Sequence, residues 1–434
     1  MANTKQPSHI HNDKYMLSVE DALARILKMV SVLEPTQTSI LDTLDQILSE
    51  NVFATMDIPP LPNSAMDGYA VRATDLSDGS LENPIELRVI DSIAAGELPS
   101  KSVEPRTAIR IMTGAPIPSG ADAVVAFENT DEIQTSDNSK NSNQIKIFES
   151  PDQFQNIRAS GQDIAEGALV LKKGTLIRPA EVGLLASMGL ATASIFRKPK
   201  VGILATGNEL LEPGTEQSPG MIYDSNSYGV AAATRKYGGI PEIIGIAKDN
   251  HSSIEEKLKQ SLEFDILITS AGVSVGDYDV VKNVLSNHGK IDFWSVNMRP
   301  AKPLAFGVLN GYKDRQVPLI GLPGNPVSAL VAFEQFVRPA IRKMQGKNDY
   351  GIQTIKAILD EPIHNVDGRR VYARAIVSIR DGKYHAKLTG DQSSNLLTSM
   401  SQANGLAICP ENIPVKLAGE IVDIQILDRL EDII

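Results

Sequence analysis

Two different spacings of apolar residues divide the chain into segments. In residues 17–33 apolar side chains recur every three or four positions, which predicts an amphipathic helix. Ser18 stands three residues before Asp21, the spacing of a helix N-cap. The apolar stripe of this helix comprises Val19, Ala22, Leu23, Ile26, Leu27, Val30 and Leu33. It must pack against its own domain or against a partner chain, and we expect a dimer to bury it. A second, short helix is predicted over residues 39–49.

The next part of the chain has the pattern of β structure. Residues 53–153 contain short alternating or β-branched runs separated by Gly, Pro and Asn, which predicts a β domain. Residues 134–144 are polar and are predicted to form a hairpin tip. In residues 154–197, Arg178-Pro179 places proline in the first turn of a helix. We expect this segment to return to the N-terminal helices, which makes the β domain an insertion.

Between residues 198 and 347, apolar runs alternate with helical patterns, as in a parallel sheet covered by helices. The last part contains short, evenly spaced strands, which is typical of a small barrel. The sequence therefore predicts a multidomain α/β and β protein. Its expected parts are a discontinuous N-terminal helical/β platform (15–52 and 154–197), an inserted β domain (53–153), a central doubly wound, mostly parallel α/β domain (198–347) and a C-terminal small β-barrel (348–434).

Composition narrows the class of protein. The chain has 434 residues and a net charge of −11, which argues against general nucleic-acid binding because that needs a basic surface. Its one cysteine, Cys409, excludes an internal disulfide. The longest uncharged run, 182–196, is too short to span a bilayer, and no secretory signal pattern opens the chain. We expect a cytoplasmic protein without a membrane partner.

Acidic residues follow three successive predicted strands. Glu209 follows the strand 201–206, Asp249 follows the second strand, and Asp277 and Asp279 follow the third. Strand ends of an open α/β sheet are where such proteins bind ligands. Opposite these acids we expect the basic residues Arg299 and Lys302 and the helix start at Asn325-Pro326. The free N–H groups of that helix start are suited to an oxyanion.

Clustered carboxylates beside a phosphate need a cation. At an effective dielectric constant near 20, two like charges about 4 Å apart repel by roughly 4 kcal/mol. Mg²⁺ typically uses one or two carboxylates together with substrate phosphate oxygens. The residues themselves therefore predict a Mg²⁺-dependent site for a phosphorylated ligand.

Hydrolysis by a serine nucleophile is an alternative to the Mg²⁺-dependent site. Residues 272–276 match G-x-S-x-G, the nucleophile elbow of α/β-hydrolases, and His288, His364 and His385 follow it. However, His288 lies in the next helix or loop, and the other two lie in the separate C-terminal β domain. The chain contains neither a P-loop nor a dinucleotide-binding glycine pattern. We therefore give little weight to hydrolysis.

Seven motifs, in order, resemble one family. They are SAMDGYA, IMTGAPIP, SGQDI, TGNEL, SAGVSVGDYD, RPAKP and GLPGNPVSA. The chain resembles molybdopterin molybdenumtransferase, the MoeA and gephyrin E-domain family, over about residues 15–434. The resemblance implies a homodimer of four-domain subunits that inserts molybdate into adenylylated molybdopterin, releases AMP and requires Mg²⁺. It further implies that the platform mediates dimerisation, that residues 198–347 bind molybdopterin, and that a molybdopterin adenylyltransferase donates the substrate.

The resemblance also implies roles for individual residues. Asp67, Thr113 and Asp163 would lie at the active cleft, with Asp163 contributed across the dimer. Glu209, Asp249 and Asp279 would serve catalysis and hold the metal. The residues expected to bind substrate and molybdate are Arg299, Lys302, Ser328, Arg374 and Ser394, with Pro323 and Pro326 shaping the turn between them.

Three positions depart from the family pattern. Ser295 stands where many members have Lys, Ala301 where they have Gly, and Arg299 where they often have Lys. The lost positive charge at Ser295 predicts weaker binding of an anionic ligand. A non-catalytic molybdopterin-binding or scaffolding protein of the same fold is the alternative, but retained acids together with Lys302 and Arg374 favour the enzyme.

Overall fold

The structure is a computed structural model that describes residues 16–132, 143–270, 279–311 and 315–428, with the backbone alone for residues 279–282 and 286. The chain forms two compact units. The large unit comprises Met1–Thr36, Asp45–Ser49 and Ser194–Ile434, and the small unit comprises Gln37–Leu44 and Glu50–Ala193. The predicted domain boundaries stay predictions.

Helices occur in both units. The α-helices of the described residues are α1 Val19–Met29, α2 Pro179–Ser187, α3 Ser225–Lys236, α4 His251–Ser261, α5 Asp279–His288, α6 Pro326–Ala332, α7 Arg338–Met344 and α8 Leu397–Gln402. A π-helical segment, Phe333–Val337, joins α6 to α7. The described 3₁₀ turns are Ile40–Thr43, Ala73–Leu76 and Phe127–Asn129.

The strands are numbered in chain order. They are β1 Pro35–Ser39, β2 Val52–Phe53, β3 Asn63–Ser64, β4 Gly68–Val71, β5 Ile85–Ile93, β6 Thr107–Ile111, β7 Ala123–Ala126, β8 Gln144–Ile147, β9 Ile157–Arg158, β10 Leu169–Leu171, β11 Thr192–Phe196, β12 Lys200–Thr206, β13 Leu210–Leu211, β14 Ile222–Tyr223, β15 Ile240–Ala247, β16 Ile266–Ser270, β17 Gly289–Ser295, β18 Met298–Arg299, β19 Pro303–Asn310, β20 Gln316–Leu322, β21 Thr354–Leu359, β22 Ile363–His364, β23 Arg370–Arg380, β24 Lys383–Leu388, β25 Gly405–Cys409, β26 Val415–Lys416 and β27 Ile421–Ile426.

A six-stranded sheet forms the centre of the large unit. Its strand order is β15-β12-β16-β20-β19-β17, in which β15, β12, β16 and β20 are parallel and β19 and β17 are antiparallel. Alternate side chains of a strand face opposite sides of a sheet. Accordingly, Ile203 and Ile268 pack in the core that contains α1 and α6, whereas Leu204 and Leu267 pack in the core that contains α4 and α5. Helices thus cover both faces, which confirms the predicted doubly wound, mostly parallel domain.

Helix α1 is capped as predicted, but its stripe is buried differently. The Asp21 N–H donates to the Ser18 hydroxyl at 3.0 Å. Ala22 and Ile26 are completely buried in the core of the large unit, beside residues of the central sheet. The expectation that a dimer buries this stripe is therefore wrong, because the chain's own sheet and the helix that follows β20 already cover it.

Two local predictions also need correction. The helix expected over residues 39–49 is reduced to a 3₁₀ turn, Ile40–Thr43, and Asp45 two residues later has a φ of 62°, which a right-handed helix does not allow. The spacing of Ser252 and Glu255 in the sequence also predicts Ser252 as a helix cap, but helix α4 begins one residue earlier, at His251. Its N-cap is Asn250, whose side chain accepts from the Ser253 N–H at 2.9 Å.

The C-terminal part of the large unit is a closed barrel, as predicted. Strands β23, β24, β21, β27 and β25 form it, and the pairing of β23 with β25 closes the ring. In the small unit, a five-stranded sheet has the order β7-β4-β6-β5-β8. Two further strand pairs of the small unit, β3 with β9 and β2 with β10, are separate from this sheet.

Candidate active site

The acidic residues follow neighbouring strands. Strands β15, β12 and β16 lie side by side and are parallel, so their carboxyl ends meet at one edge of the sheet. Glu209 follows β12 and Asp249 follows β15, and the last residues of these strands, Thr206 and Ala247, are register partners. Asp279 is the first residue of α5, and its side chain is outside the described part, as is Asp277. The residues 272–276, considered as a nucleophile elbow, are also outside it.

Backbone geometry fixes the two described acids. Asn208 and Asp249 exchange hydrogen bonds of 3.1 Å, in which the N–H of each donates to the side-chain oxygen of the other. The second carboxylate oxygen of Asp249, Oδ1, is buried and has no hydrogen-bond partner in the described structure. Gly207 has a φ of 151°, and a Cβ there would lie 2.5 Å from Oε2 of Glu209. Only glycine therefore lets the Glu209 carboxylate fold back over the strand end.

One cavity of about 390 Å³ is lined by Glu209 but not by Asp249, and we call it the acidic cavity. Its wall includes Glu209, Asn226, Ser270, Pro326 and Asn395. The Asn226 amide donates to the Ser270 hydroxyl at 3.1 Å and to the Gly324 carbonyl at 2.7 Å. Because of these two bonds, Asn226 ties the end of β16 to the turn before α6.

A second cavity of about 380 Å³ is lined by Arg299 and Arg374, and we call it the basic cavity. Arg299 is fixed by the His364 carbonyl at 2.7 Å and by Asp367, whose carboxylate is 3.8 Å from Nη1. Asp391, Gln392 and Ser393 form part of the wall. The cavity combines two guanidinium groups with one described wall acid, which is suitable for a small anion.

The guanidinium of Arg374 is 1% exposed and is engaged by the loop that follows β24. It donates to the Ser399 hydroxyl and to the carbonyls of Asp391, Gln392 and Ser393, at 3.0 to 3.2 Å. Burial lowers the Arg374 pKa to about 10, so the group is still charged at neutral pH. Arg374 thus provides positive charge beside the basic cavity and holds the loop 391–395.

That loop separates the two cavities. Ser393 lines the basic cavity and Asn395 lines the acidic cavity. Between them, the Ser394 hydroxyl accepts from the Asn325 amide at 3.0 Å, and the Ser394 carbonyl accepts from the Val327 N–H at 3.1 Å. The expectation of free N–H groups at the start of α6 is therefore wrong for Val327, because Ser394 already uses that donor.

The remaining predicted residues of the large unit are placed as follows. Pro326 lines the acidic cavity, and Pro323 is buried just before it. Ser328 is 4% exposed inside α6 and does not line either cavity. The Lys302 carbonyl accepts from the Val296 N–H at 2.8 Å, in the same loop as Arg299. The structure therefore brings Glu209 and Pro326 to one cavity and Arg299 and Arg374 to the other.

Three predicted residues belong to the small unit. Oδ1 of Asp67 accepts from both the N–H and the hydroxyl of Thr113, at 2.7 and 2.8 Å. The Thr113 N–H, and then its hydroxyl, lower the pKa of Asp67, which keeps this carboxylate ionised. Asp163 is exposed, and its carboxylate has no hydrogen bond or ion pair to any described residue.

Comparison with known proteins decides the assignment. Family models described as "MoeA N-terminal region (domain I and II)", "Probable molybdopterin binding domain" and "MoeA C-terminal region (domain IV)" match residues 17–189, 202–343 and 356–427. A molybdopterin molybdenumtransferase 2 of Mycobacterium tuberculosis is 36% identical over 93% of this chain and 98% of its own length. A molybdopterin molybdenumtransferase of Haemophilus influenzae is 35% identical over 96% and 100%. The chain belongs to the MoeA family.

Solved structures agree with this family. A molybdopterin biosynthesis MoeA protein of Pyrococcus horikoshii has a TM-score of 0.75 and 28% identity, covering 95% of this chain and 100% of its own. The MoeA relatives are named as transferases of molybdenum cofactor biosynthesis. The assignment to a transferase family is therefore preferred to the hydrolase alternative. Of the helices described in this MoeA chain, none has the length and apolar character to cross a membrane.

The residues are suited to Mg²⁺ only if the substrate contributes ligands. In the described part of this MoeA chain, no three His, Cys, Asp or Glu side chains form a group that could hold a metal. However, the buried Asp249 Oδ1 is an acceptor without a donor, which is costly unless a cation or a ligand group faces it. Mg²⁺ commonly takes one or two carboxylates together with substrate phosphate oxygens. Asp249 and Glu209 fit that donor set.

Sequence reasoning missed Asn208 and Asn226, and it named Asn325 only as the start of a helix. Asn208 stands next to the predicted acid Glu209, and Asn226 is the second residue of α3, so position beside a strand end or helix start was the available signal. Their amides bond to elements distant in sequence, such as Ser394 from Asn325, so the partners follow only from the fold.

Proposed function

We propose that this MoeA chain inserts molybdate into the dithiolene of adenylylated molybdopterin and releases AMP. The observation that carries the proposal is the pair of adjoining cavities in the large unit, one lined by Glu209 and the other by Arg299 and Arg374. A small oxyanion needs a basic pocket, whereas a nucleotide phosphate can lie beside carboxylates only through a cation such as Mg²⁺. The loop 391–395 lies between the two cavities.

In this proposal the basic cavity receives molybdate, a small tetrahedral dianion. Arg299, Lys302 and Arg374 supply positive charge, and Ser394 supplies a hydroxyl group from the loop beside the cavity. Ser328 lines neither cavity, so its contact with molybdate stays a prediction. Pro323 and Pro326 shape the turn against which the substrate lies. No side chain of the chain has to act as a covalent nucleophile.

The phosphate side uses the acids. Glu209 and Asp249, with Asp279 from the same motif set, would hold Mg²⁺ together with phosphate oxygens. Bound there, the ion neutralises the charge that develops on the phosphate as AMP leaves. Asp67, Thr113 and Asp163 would also belong to the active cleft, with Asp163 supplied by a second copy of the chain.

A homodimer is part of the proposal, and exposed apolar residues of the small unit support it. Phe53 and Leu169 are cross-strand partners in the β2–β10 pair, yet they are 52% and 42% exposed. Exposed apolar residues that lie side by side can form part of an interface between two copies of a chain. We expect Phe53→Asp to lower the dimer fraction in light scattering, with Leu81→Asp, an exposed residue outside this pair, as the control. A monomeric wild type at micromolar concentration would overturn the dimer.

The deciding experiment measures AMP release from adenylylated molybdopterin by the purified protein in the presence and absence of molybdate and Mg²⁺. Release that needs both supports the enzyme, whereas tight binding without release supports the non-catalytic alternative. Glu209→Gln should lower kcat by roughly 10-fold or more. Glu216→Gln, at an exposed acid farther along the same segment, is the matched control and should not. We also propose that the reaction takes place in the cytoplasm with a molybdopterin adenylyltransferase as substrate donor.

A further inference from the structure

Asp57 connects both ends of a turn in the small unit. Its Oδ1 accepts from the Glu166 N–H at 2.8 Å, and its Oδ2 is 2.9 Å from the Ser160 hydroxyl. These two donors are the first and last residues of the segment 160–166, which we call the Asp163 turn. One carboxylate therefore closes the turn that carries Asp163.

The backbone next to Asp57 holds the middle of the same turn. The N–H groups of Asp163 and Ile164 donate to the Ile58 carbonyl at 3.0 and 3.2 Å. In return, the Ile58 N–H donates to the Ile164 carbonyl at 2.8 Å. The Gly161 N–H donates to the Pro59 carbonyl at 2.9 Å. The segment from Asp57 to Pro59 is thus the template on which the Asp163 turn is built.

Gly161 shows how close the carboxylate comes. Its φ of +66° lies in the left-handed region, and a Cβ there would be 3.0 Å from Asp57 Oδ1. A side chain at this position would be strained and would push the Asp57 carboxylate away. The glycine of the SGQDI motif is therefore required by the contact with Asp57.

The two bonds to Asp57 are not equally firm. The Ser160 hydroxyl has one proton, and the Pro60 carbonyl at 3.0 Å is a second acceptor for it. The Glu166 N–H has no such alternative in the described structure, and it is the main cause of the lowered pKa of Asp57. The ionised carboxylate thus acts chiefly through the backbone at the end of the turn.

We propose that Asp57 is a positioning residue that sets the place of the Asp163 carboxylate. Asp163 is exposed and has no partner of its own among the described residues, so its position depends on the turn alone. Asp57 is the side chain that fixes that turn. This inference rests on the proposed function, in which Asp163 belongs to the active cleft.

The test compares Asp57→Asn with a matched acid. Asp91, in the same unit, also accepts one backbone N–H and one serine hydroxyl, from Ser92 and Ser100, both at 3.0 Å. An asparagine has one acceptor oxygen and no charge, so the Glu166 N–H loses its ionised acceptor and keeps at most a weaker bond to a neutral oxygen. We expect Asp57→Asn to lower kcat for AMP release by roughly 10-fold through misplacement of Asp163. Asp91→Asn should leave kcat unchanged, and it should lower Tm by about as much as Asp57→Asn does.

A double variant separates positioning from general stability. If Asp57 acts through Asp163, adding Asp57→Asn to Asp163→Asn costs less than about 2-fold more in kcat, because coupled residues are not additive. A fully additive loss would overturn the proposal. So would an unchanged kcat in Asp57→Asn.

Hydrogen exchange gives a readout that does not need activity. Exchange of the Glu166 amide should accelerate about fivefold in Asp57→Asn, as expected when its charge-assisted hydrogen bond becomes a weaker neutral one, and should not change in Asp91→Asn. Unchanged exchange in Asp57→Asn contradicts the inference. If the wild type releases no AMP, the proposed function fails, whereas this measurement still decides whether Asp57 holds the turn.

Discussion

The side-chain amide of Asn325 donates a hydrogen bond of 3.0 Å to the hydroxyl of Ser394. Asn325 precedes α6 in the α/β domain, and Ser394 lies in the loop that Arg374 of the barrel holds. The contact therefore joins the α/β domain to the barrel at the wall between the two cavities. Both residues face solvent in part, so the contact is positioned to influence binding more than folding.

Removing this contact should change substrate binding with little effect on stability. Asn325→Ala and Ser394→Ala should each lower the free energy of unfolding by less than about 1 kcal/mol, because exposed hydrogen bonds contribute little. Their effects on the substrate KM should be coupled, with an interaction energy of roughly 0.5–1 kcal/mol. A double-mutant cycle in the AMP-release assay measures this. Strictly additive effects on KM would show that the bond plays no part.

Arg374 should be far more important for stability than an exposed arginine of the same strand. Arg374→Met leaves the carbonyls of Asp391, Gln392 and Ser393 without their donor, and we expect a loss of about 3 kcal/mol. Arg380, also in β23, is 51% exposed and pairs with Asp360. Arg380→Met should therefore cost less than about 1 kcal/mol. Urea unfolding of both variants decides, and equal losses would contradict the role given to Arg374.

The sequence predicted which residues follow neighbouring strands better than it predicted the contacts around them. Acids after successive strands identify one sheet edge, since parallel strands end together, and the structure places Glu209 and Asp249 after neighbouring strands. The period of the apolar residues likewise predicted the sheet and its covering helices. These features depend on local spacing, which the sequence contains directly.

Contacts between distant segments could not be predicted in this way. The stripe of α1 is equally suited to a partner chain and to its own sheet, and only the fold shows that Ile26 is buried by the latter. The sequence favours Arg374 as a ligand of an oxyanion, but it does not indicate that the guanidinium also donates to several carbonyls of the loop 391–395. Nothing in the local sequence indicates that the Val327 N–H is already taken by Ser394.

Ala301 is in a conformation that suits glycine. Its φ is 74°, it is 4% exposed, and it lies between the basic residues Arg299 and Lys302. Ala301→Gly should be neutral or stabilise by up to about 1 kcal/mol, because relief of left-handed strain offsets the greater entropy of the unfolded chain. Ala301→Val should destabilise by more than about 2 kcal/mol, since a β-branched side chain tolerates this φ poorly.

The control for Ala301 is a buried alanine with ordinary backbone geometry. Ala205, the next-to-last residue of β12, is completely buried, and Ala205→Gly should cost roughly 1 kcal/mol. Thermal unfolding compares the two glycine variants. A similar loss in both would show that the φ of Ala301 stores no strain.

Asp265 should make stability depend on pH. Burial raises its pKa, but the Arg197 guanidinium, at 2.5 and 2.8 Å, and then the Lys200 N–H outweigh burial, so the pKa is lowered overall. A carboxyl with a lowered folded pKa stabilises the protein above its unfolded pKa of about 3.9 and loses that contribution as the pH falls through the lower, folded value. Asp265→Asn should therefore cost about 3 kcal/mol at pH 7, because Arg197 and Arg315 lose a buried partner.

The pH profile of the difference from wild type is the critical measurement. The deficit of Asp265→Asn should be constant from about pH 7 to 5 and should shrink below about pH 4, where protonation of Asp265 in the unfolded chain begins to favour unfolding of the wild type. Asp423→Asn removes an exposed pair with Lys356 and should cost less than about 1 kcal/mol at every pH. Denaturant unfolding across this range measures both variants. If the Asp265→Asn deficit stayed constant down to the lowest pH at which the wild type is folded, the gain from Arg197 would not come from the ionised carboxylate.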